Sequence, residues 1–180
     1  GLVMNYGEPQ PGEGLSYRVD HPPLTAILIS LAYRVFGVSE WSARLLPTLL
    51  AVGSSLIVFI LVLRLTQERW TALLAFGFAA LSPMQVYYAR LPVPNTVAVF
   101  FSLVAFLTYY RWFTTERSWY LVGFFVGLTL GAFTDWIAYF VPPAVLVHYL
   151  LFSKKRRNWL VAVALALSPF LLFACYLAWT

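Results

Sequence analysis

The amino-acid sequence predicts an all-α fold: a polytopic transmembrane helix bundle with a short interfacial helix in its first outer loop. Three observations predict it. Charged residues make up 11% of the chain and hydrophobic residues 61%, against about 25% charged in a soluble domain, and the mean hydropathy is +0.77. Apolar runs of membrane length recur along the chain. The links between them are brief, which forces neighbouring helices to run antiparallel. Seven Trp and eleven Tyr suit side chains that anchor at both membrane interfaces. A net charge of +5 would suggest nucleic acid in a soluble chain. Here its placement along the helices matters instead, and no nucleic-acid partner is expected. The single cysteine, Cys175, excludes an intramolecular disulfide.

Taken in order, residues 1–20 (GLVMNYGEPQPGEGLSYRVD) are polar and rich in glycine and proline, and read as an aqueous loop. They lack the charged and apolar regions of a signal peptide. The chain is therefore expected to be a piece of a longer protein whose first span lies upstream, an unusual start being the alternative. Asp20-His21-Pro22-Pro23-Leu24 follows. Proline suits a first helical turn and not a helix interior, so the pair predicts a stiff helix entry, with His21 held extended before it. A helix over Leu24–Phe36 should stop at Gly37. At about 1.5 Å per residue it would reach about 20 Å, short of the roughly 30 Å hydrocarbon core, and is expected to lie at the membrane surface. An acid and an imidazole at its start face water. The plainer reading is a capping aspartate and a loop histidine.

Ser39 or Glu40 can cap the next helix. Spans are expected at 43–64, 70–88, 96–112, 119–136, 139–152 and 159–179, with Pro142-Pro143 implying a bend or a late start in the fifth. This divides the chain into an extracytoplasmic loop with its interfacial helix, residues 1–38, and a bundle of about six spans, residues 39–180. Arg64, Arg69, Arg111, Arg117 and Lys154 to Arg157 share one set of helix ends. The opposite ends hold Arg90, with Arg18, Arg34 and Arg44 in the N-terminal part. The excess of positive charge marks the cytoplasmic side. Asp20, His21, Arg90 and Asp135 are then expected to converge on one outer-facing cavity. Gly123, Gly127 and Gly131 recur every fourth residue, a row that lets another helix approach closely.

Ionisable groups at membrane depth are costly and are therefore candidates for chemistry. Arg90 ends Tyr87-Tyr88-Ala89-Arg90 and is the one fixed cation in the outer links between spans. Its guanidinium could hold a phosphate through paired hydrogen bonds, or simply snorkel to the interface. Asp135, in Thr134-Asp135-Trp136, stands at the end of the fourth span, where a carboxylate opposes the helix dipole. That placement calls for compensation, by function or by a structural pair with Arg90. His148 sits among apolar neighbours and reads as a packed residue. Lys154 to Arg157 read as a topology signal that can touch anionic head groups. No zinc-ligand spacing, phosphate-cradling glycine loop or nucleophile elbow occurs.

The order Asp-His-Pro-Pro-Leu, short helix, then Phe36-Gly37-Val38-Ser39-Glu40-Trp41-Ser42-Ala43-Arg44-Leu45-Leu46-Pro47 resembles the GT-C membrane glycosyltransferases. More narrowly it resembles the bacterial and archaeal relatives of the protein O-mannosyltransferases and of the lipid A aminoarabinose transferase. Leu81-Ser82-Pro83 with Tyr87 to Arg90 is a second matching segment, and Gly131 to Trp136 a third; together they span residues 15 to 152. The resemblance implies transfer of a sugar from a polyprenyl-phosphate carrier to a protein, lipid or glycan acceptor. The reaction would occur at the outer face of the plasma (inner) membrane of a bacterium or archaeon. It implies catalytic roles for Asp20 and Asp135 and substrate-binding roles for His21, Arg90, Tyr88 and Asn95. A divalent metal, with Asp20 as a candidate ligand, is an open cofactor. Two departures stand out. The family's Asp-Glu pair would lie upstream of Gly1, and Asn95, which cannot act as a base, is nearest to where members often carry an aspartate. Two other classes stay open: a transporter with an outer-facing Arg90/Asp135 site, and a membrane scaffold without chemistry. A transporter would set polar residues near mid-membrane, often at broken helices.

Overall fold

The structure is a computed structural model and describes residues 22–153 and 159–179. Its helices are α1 (Leu24–Phe36), α2 (Glu40–Thr66), α3 (Arg69–Leu81), α4 (Pro83–Ala89), α5 (Pro94–Thr115), α6 (Trp119–Ala132), α7 (Val141–Phe152) and α8 (Trp159–Trp179), with a 3-10 helix at Trp136–Phe140 before α7. No strand occurs among the described residues. The chain is an all-α membrane bundle. Two helices, α2 and α5, are each long and apolar enough to cross a membrane, and the bent α3–α4 pair makes a third if it counts as one span.

Local chemistry sets most boundaries. α1 begins right after Pro22-Pro23 and ends on Gly37, whose φ of 80° is cheap only for glycine. It packs Thr25 and Ile29 inward and leaves Ile27, Leu31 and Val35 on its exposed face, as a helix lying against lipid would. α2 begins with a reciprocal capping box. The Ser42 N–H donates to Ser39 Oγ (3.2 Å) and the Ser39 N–H donates to Ser42 Oγ (3.1 Å). Gln67 and Glu116 close α2 and α5 in the left-handed region, their N–H groups donating to Leu63 and Trp112 carbonyls.

Three boundaries differ from the sequence expectation. The second span is not one rod: Pro83 has no N–H and disfavours helical backbone at Ser82, so α3 and α4 meet at a 54° bend. The fourth ends at Ala132 rather than Trp136, because the Gly131 carbonyl takes the N–H groups of both Thr134 (2.9 Å) and Asp135 (3.0 Å) and closes the helix. The chain then restarts as the 3-10 helix, and α7 begins at Val141 with the two prolines inside its first turn. That is the late start the prolines called for.

The helix order is an alternating one. Gln85 Nε2 donates to the Ala51 carbonyl and Thr48 Oγ1 to the Ala89 carbonyl, so α4 returns antiparallel to α2. Gly53 faces Phe100, and the Tyr110 hydroxyl reaches the Arg64 carbonyl, so α5 runs parallel to α2. The glycine row of α6 does what its spacing suggests. Gly123 faces Thr108, Gly127 faces the backbone of Phe101 and Ala105, and Gly131 sits between Ala98 and Ala138. Ala105, Tyr109, Phe124, Leu128, Val145, Tyr149 and Leu165 form a core shared by α5 to α8. Close packing of this kind, rather than a hydrophobic driving force, holds helices together in lipid.

Candidate functional site

This topology gathers the odd polar residues at one end of the bundle. The start of α2, the end of α4, the start of α5 and the end of α6 all lie there. Arg64, Arg69, Arg111 and Arg117 mark the opposite end, where the Arg111 guanidinium donates twice to the Tyr120 hydroxyl (3.0 and 2.6 Å).

Asp135 is the most enclosed of the candidates, 5% exposed beside a fully buried Thr134. Its backbone is extended, and its carboxylate accepts the Trp136 N–H at 2.6 Å as the N-cap of the 3-10 helix. This corrects the electrostatic expectation. Placed only at the end of α6, Asp135 would oppose a helix dipole. As the cap of the following turn, it also meets exposed N–H groups, which favour a carboxylate. The structure makes no ion pair between Asp135 and Arg90, whose guanidinium has no bond to any described residue.

The start of α1 docks directly onto this corner. The Leu24 N–H donates to the Phe133 carbonyl at 3.1 Å, across 109 positions of sequence, two residues before Asp135. Asp20 and His21 lie outside the described residues, but the chain that leaves them enters the fold at the foot of Asp135. Beside it, the Thr25 hydroxyl is buried and makes no hydrogen bond. Nothing in the sequence pattern singled Thr25 out, because an unpartnered hydroxyl is visible only once its neighbours are placed.

Arg90 and Tyr88 occupy the neighbouring corner. Arg90 follows α4 as its C-cap and is exposed, and the Tyr88 ring meets Tyr87 edge-on at 5.2 Å. Asn95 lies in the first turn of α5 after Pro94, partly buried. The end of the bundle therefore holds an enclosed carboxylate at the α1–α6 junction and an open cation at the α2–α4 junction. His148 is accounted for at the other end, its Nδ1 paired with the Tyr109 hydroxyl at 2.8 Å among Phe113 and Phe152. An open apolar groove along α6, lined by Leu121, Val122, Phe125, Val126, Thr129 and Leu130, contains none of the candidate site residues. Among the described residues no three His, Cys, Asp or Glu side chains come together as a metal site would need.

Residues 20–179 match the protein family described as dolichyl-phosphate-mannose-protein mannosyltransferase. The chain is similar to an uncharacterized protein of Aquifex aeolicus (strain VF5), 30% identical over 141 residues, covering 78% of this chain and 28% of the relative. It is also similar to the "Putative mannosyltransferase YkcB" of Bacillus subtilis (strain 168), 30% identical over 164 residues, covering 89% of this chain and 22% of the relative. The chain thus spans about a quarter of the length of these curated relatives. No solved structure matches it.

Proposed function

Because the chain belongs to the dolichyl-phosphate-mannose-protein mannosyltransferase family, we propose that it forms part of a membrane glycosyltransferase. The enzyme takes a sugar from a polyprenyl-phosphate carrier and passes it to a protein, lipid or glycan acceptor. Residues 39–180 cross the membrane about six times. The arginine-rich end faces the cytoplasm, and the Asp135 end faces outward across the plasma membrane of a bacterium or archaeon.

One observation carries this reading. The Leu24–Phe133 backbone hydrogen bond docks the start of α1 onto the turn that carries the enclosed Asp135, two residues further on. Sugar transfer needs such a corner. The acceptor hydroxyl attacks the anomeric carbon as its proton passes to a carboxylate, and the bond from that carbon to the phosphate oxygen breaks. The departing polyprenyl phosphate needs a cation to hold its charge. Asp20 takes the proton or orients the acceptor, Asp135 fixes the corner, and His21 and Arg90 hold the phosphate, with Tyr88 and Asn95 lining its approach. A transporter would place charged groups at mid-membrane. Among the described residues of α2, α5 and α6 every charged side chain lies near a helix end.

Turnover of a polyprenyl-phosphate sugar by the full-length protein tests the proposal. Asp20→Asn keeps shape and capping ability but removes the charge. Transfer should fall at least about tenfold, equal to about 1.4 kcal/mol of transition-state stabilisation, with little change in detergent thermal stability. Near-normal turnover would return Asp20 to a capping role.

A further inference from the structure

The exposed corner at the α2–α4 junction holds a second arginine. The single hydrogen of the Thr48 hydroxyl is shared between the carbonyls of Arg44 (2.8 Å) and Ala89 (3.1 Å). One hydroxyl therefore ties the turn that carries Arg44 to the residue preceding Arg90. Gln85 repeats the link about one turn deeper, through the Ala51 carbonyl. In this antiparallel register Arg44 and Arg90 lie within about one helical turn of each other along the bundle axis.

Both side chains have donors to spare. The Arg90 side chain is exposed, and its guanidinium bonds no described residue. Arg44 is half-exposed and uses one Nη2 contact, to Glu40 one turn back on its own helix, of the five N–H donors a guanidinium carries. The surroundings indicate where such a pair would sit in a bilayer. Trp41 and Tyr87 are exposed beside it, and Leu49 and Val52 are exposed one to two turns deeper on α2. Exposed aromatics above exposed aliphatics mark the head-group level of a lipid-facing surface.

We propose that Arg44 and Arg90 together clamp the phosphate of a membrane lipid, each guanidinium contributing charge-assisted hydrogen bonds. Resting on the glycosyltransferase reading, that lipid is the polyprenyl-phosphate carrier. Glu40 keeps Arg44 oriented while the clamp is empty and is not part of it.

The test is binding to the full-length protein in phosphatidylcholine nanodiscs, with undecaprenyl phosphate, undecaprenol and phosphatidylglycerol as separate probes. Undecaprenyl phosphate should bind at least about tenfold more tightly than undecaprenol. Arg44→Gln and Arg90→Gln should each erase about that advantage, the size of one lost charge-assisted hydrogen bond. Arg44→Lys should restore part of it, and Glu40→Gln should not weaken binding. Wild-type affinity in Arg44→Gln overturns the clamp and leaves the phosphate to Arg90 and His21. Phosphatidylglycerol binding that depends on both arginines, without preference for undecaprenyl phosphate, upholds the clamp but overturns the carrier assignment. Failure of the wild type to distinguish any phosphate-bearing lipid from undecaprenol overturns both.

Discussion

Gly127→Ala tests whether the α5–α6 contact holds the Asp135 corner in place. A Cβ on Gly127 would lie 3.1 Å from the Ala105 nitrogen, 3.2 Å from the Phe101 carbonyl oxygen and 3.4 Å from the Ala105 Cα. All three are backbone atoms of the facing helix, so no side chain can rotate away and α6 must move. Gly77, on α3, supplies the reference, since a Cβ there meets nothing within 4 Å. Both substitutions gain the same helix preference of alanine over glycine, roughly 0.5–1 kcal/mol. Their difference therefore isolates the packing penalty, about 1–3 kcal/mol for overfilling a close contact. Gly123→Ala should fall between them, because its Cβ would meet only the Thr108 side chain, 2.9 Å from Cγ2. The measurement is unfolding in detergent micelles, the three variants side by side. Since Asp135 lies just beyond the same helix, Gly127→Ala should also lower transfer. Equal stability of Gly127→Ala and Gly77→Ala would show that the helices part without cost.

Asp135→Asn should leave stability nearly unchanged, because asparagine accepts the Trp136 N–H as well as aspartate does, whereas Asp135→Ala should lose about 1 kcal/mol; chemical unfolding of the two variants checks this. If the charge matters for chemistry, Asp135→Asn should nevertheless slow transfer, and a loss in both variants that tracks stability alone would count against a functional role. Thr25→Val replaces a buried hydroxyl that makes no hydrogen bond with a methyl of the same shape, so thermal stability should rise, by about 1 kcal/mol or more; a fall would mean the hydroxyl is bonded to an ordered water. Tyr109→Phe deletes the bond to His148 and should cost about 1 kcal/mol without affecting binding of polyprenyl phosphate at the other end, which a binding isotherm would verify. Arg90→Ala should weaken that binding by about 1.5–3 kcal/mol, and an unchanged isotherm would remove Arg90 from the phosphate site.

Features that act within a few residues, or through bulk composition, were legible in the sequence. The apolar composition required a membrane. The proline pair and Gly37 delimited α1 to the residue, and Ser39 capped α2 through atoms three positions away. The four-residue glycine spacing of α6 foretold a close helix neighbour without saying which helix it would be. The folded chain decided the rest, most of it through partners far along the sequence. Asp135 reads as an unfavourable helix ending until the chain is seen to restart as a 3-10 helix that it caps. The docking of α1 beneath it rests on one backbone bond, from Leu24 to Phe133, and backbone groups are identical in every residue, so no pattern of side chains announces it. Arg44 and Arg90 fall at one level of the bundle because Thr48 and Gln85 set the register of α4 against α2. A hydroxyl with two acceptors on different helices is invisible in a sequence, since either acceptor alone would satisfy it.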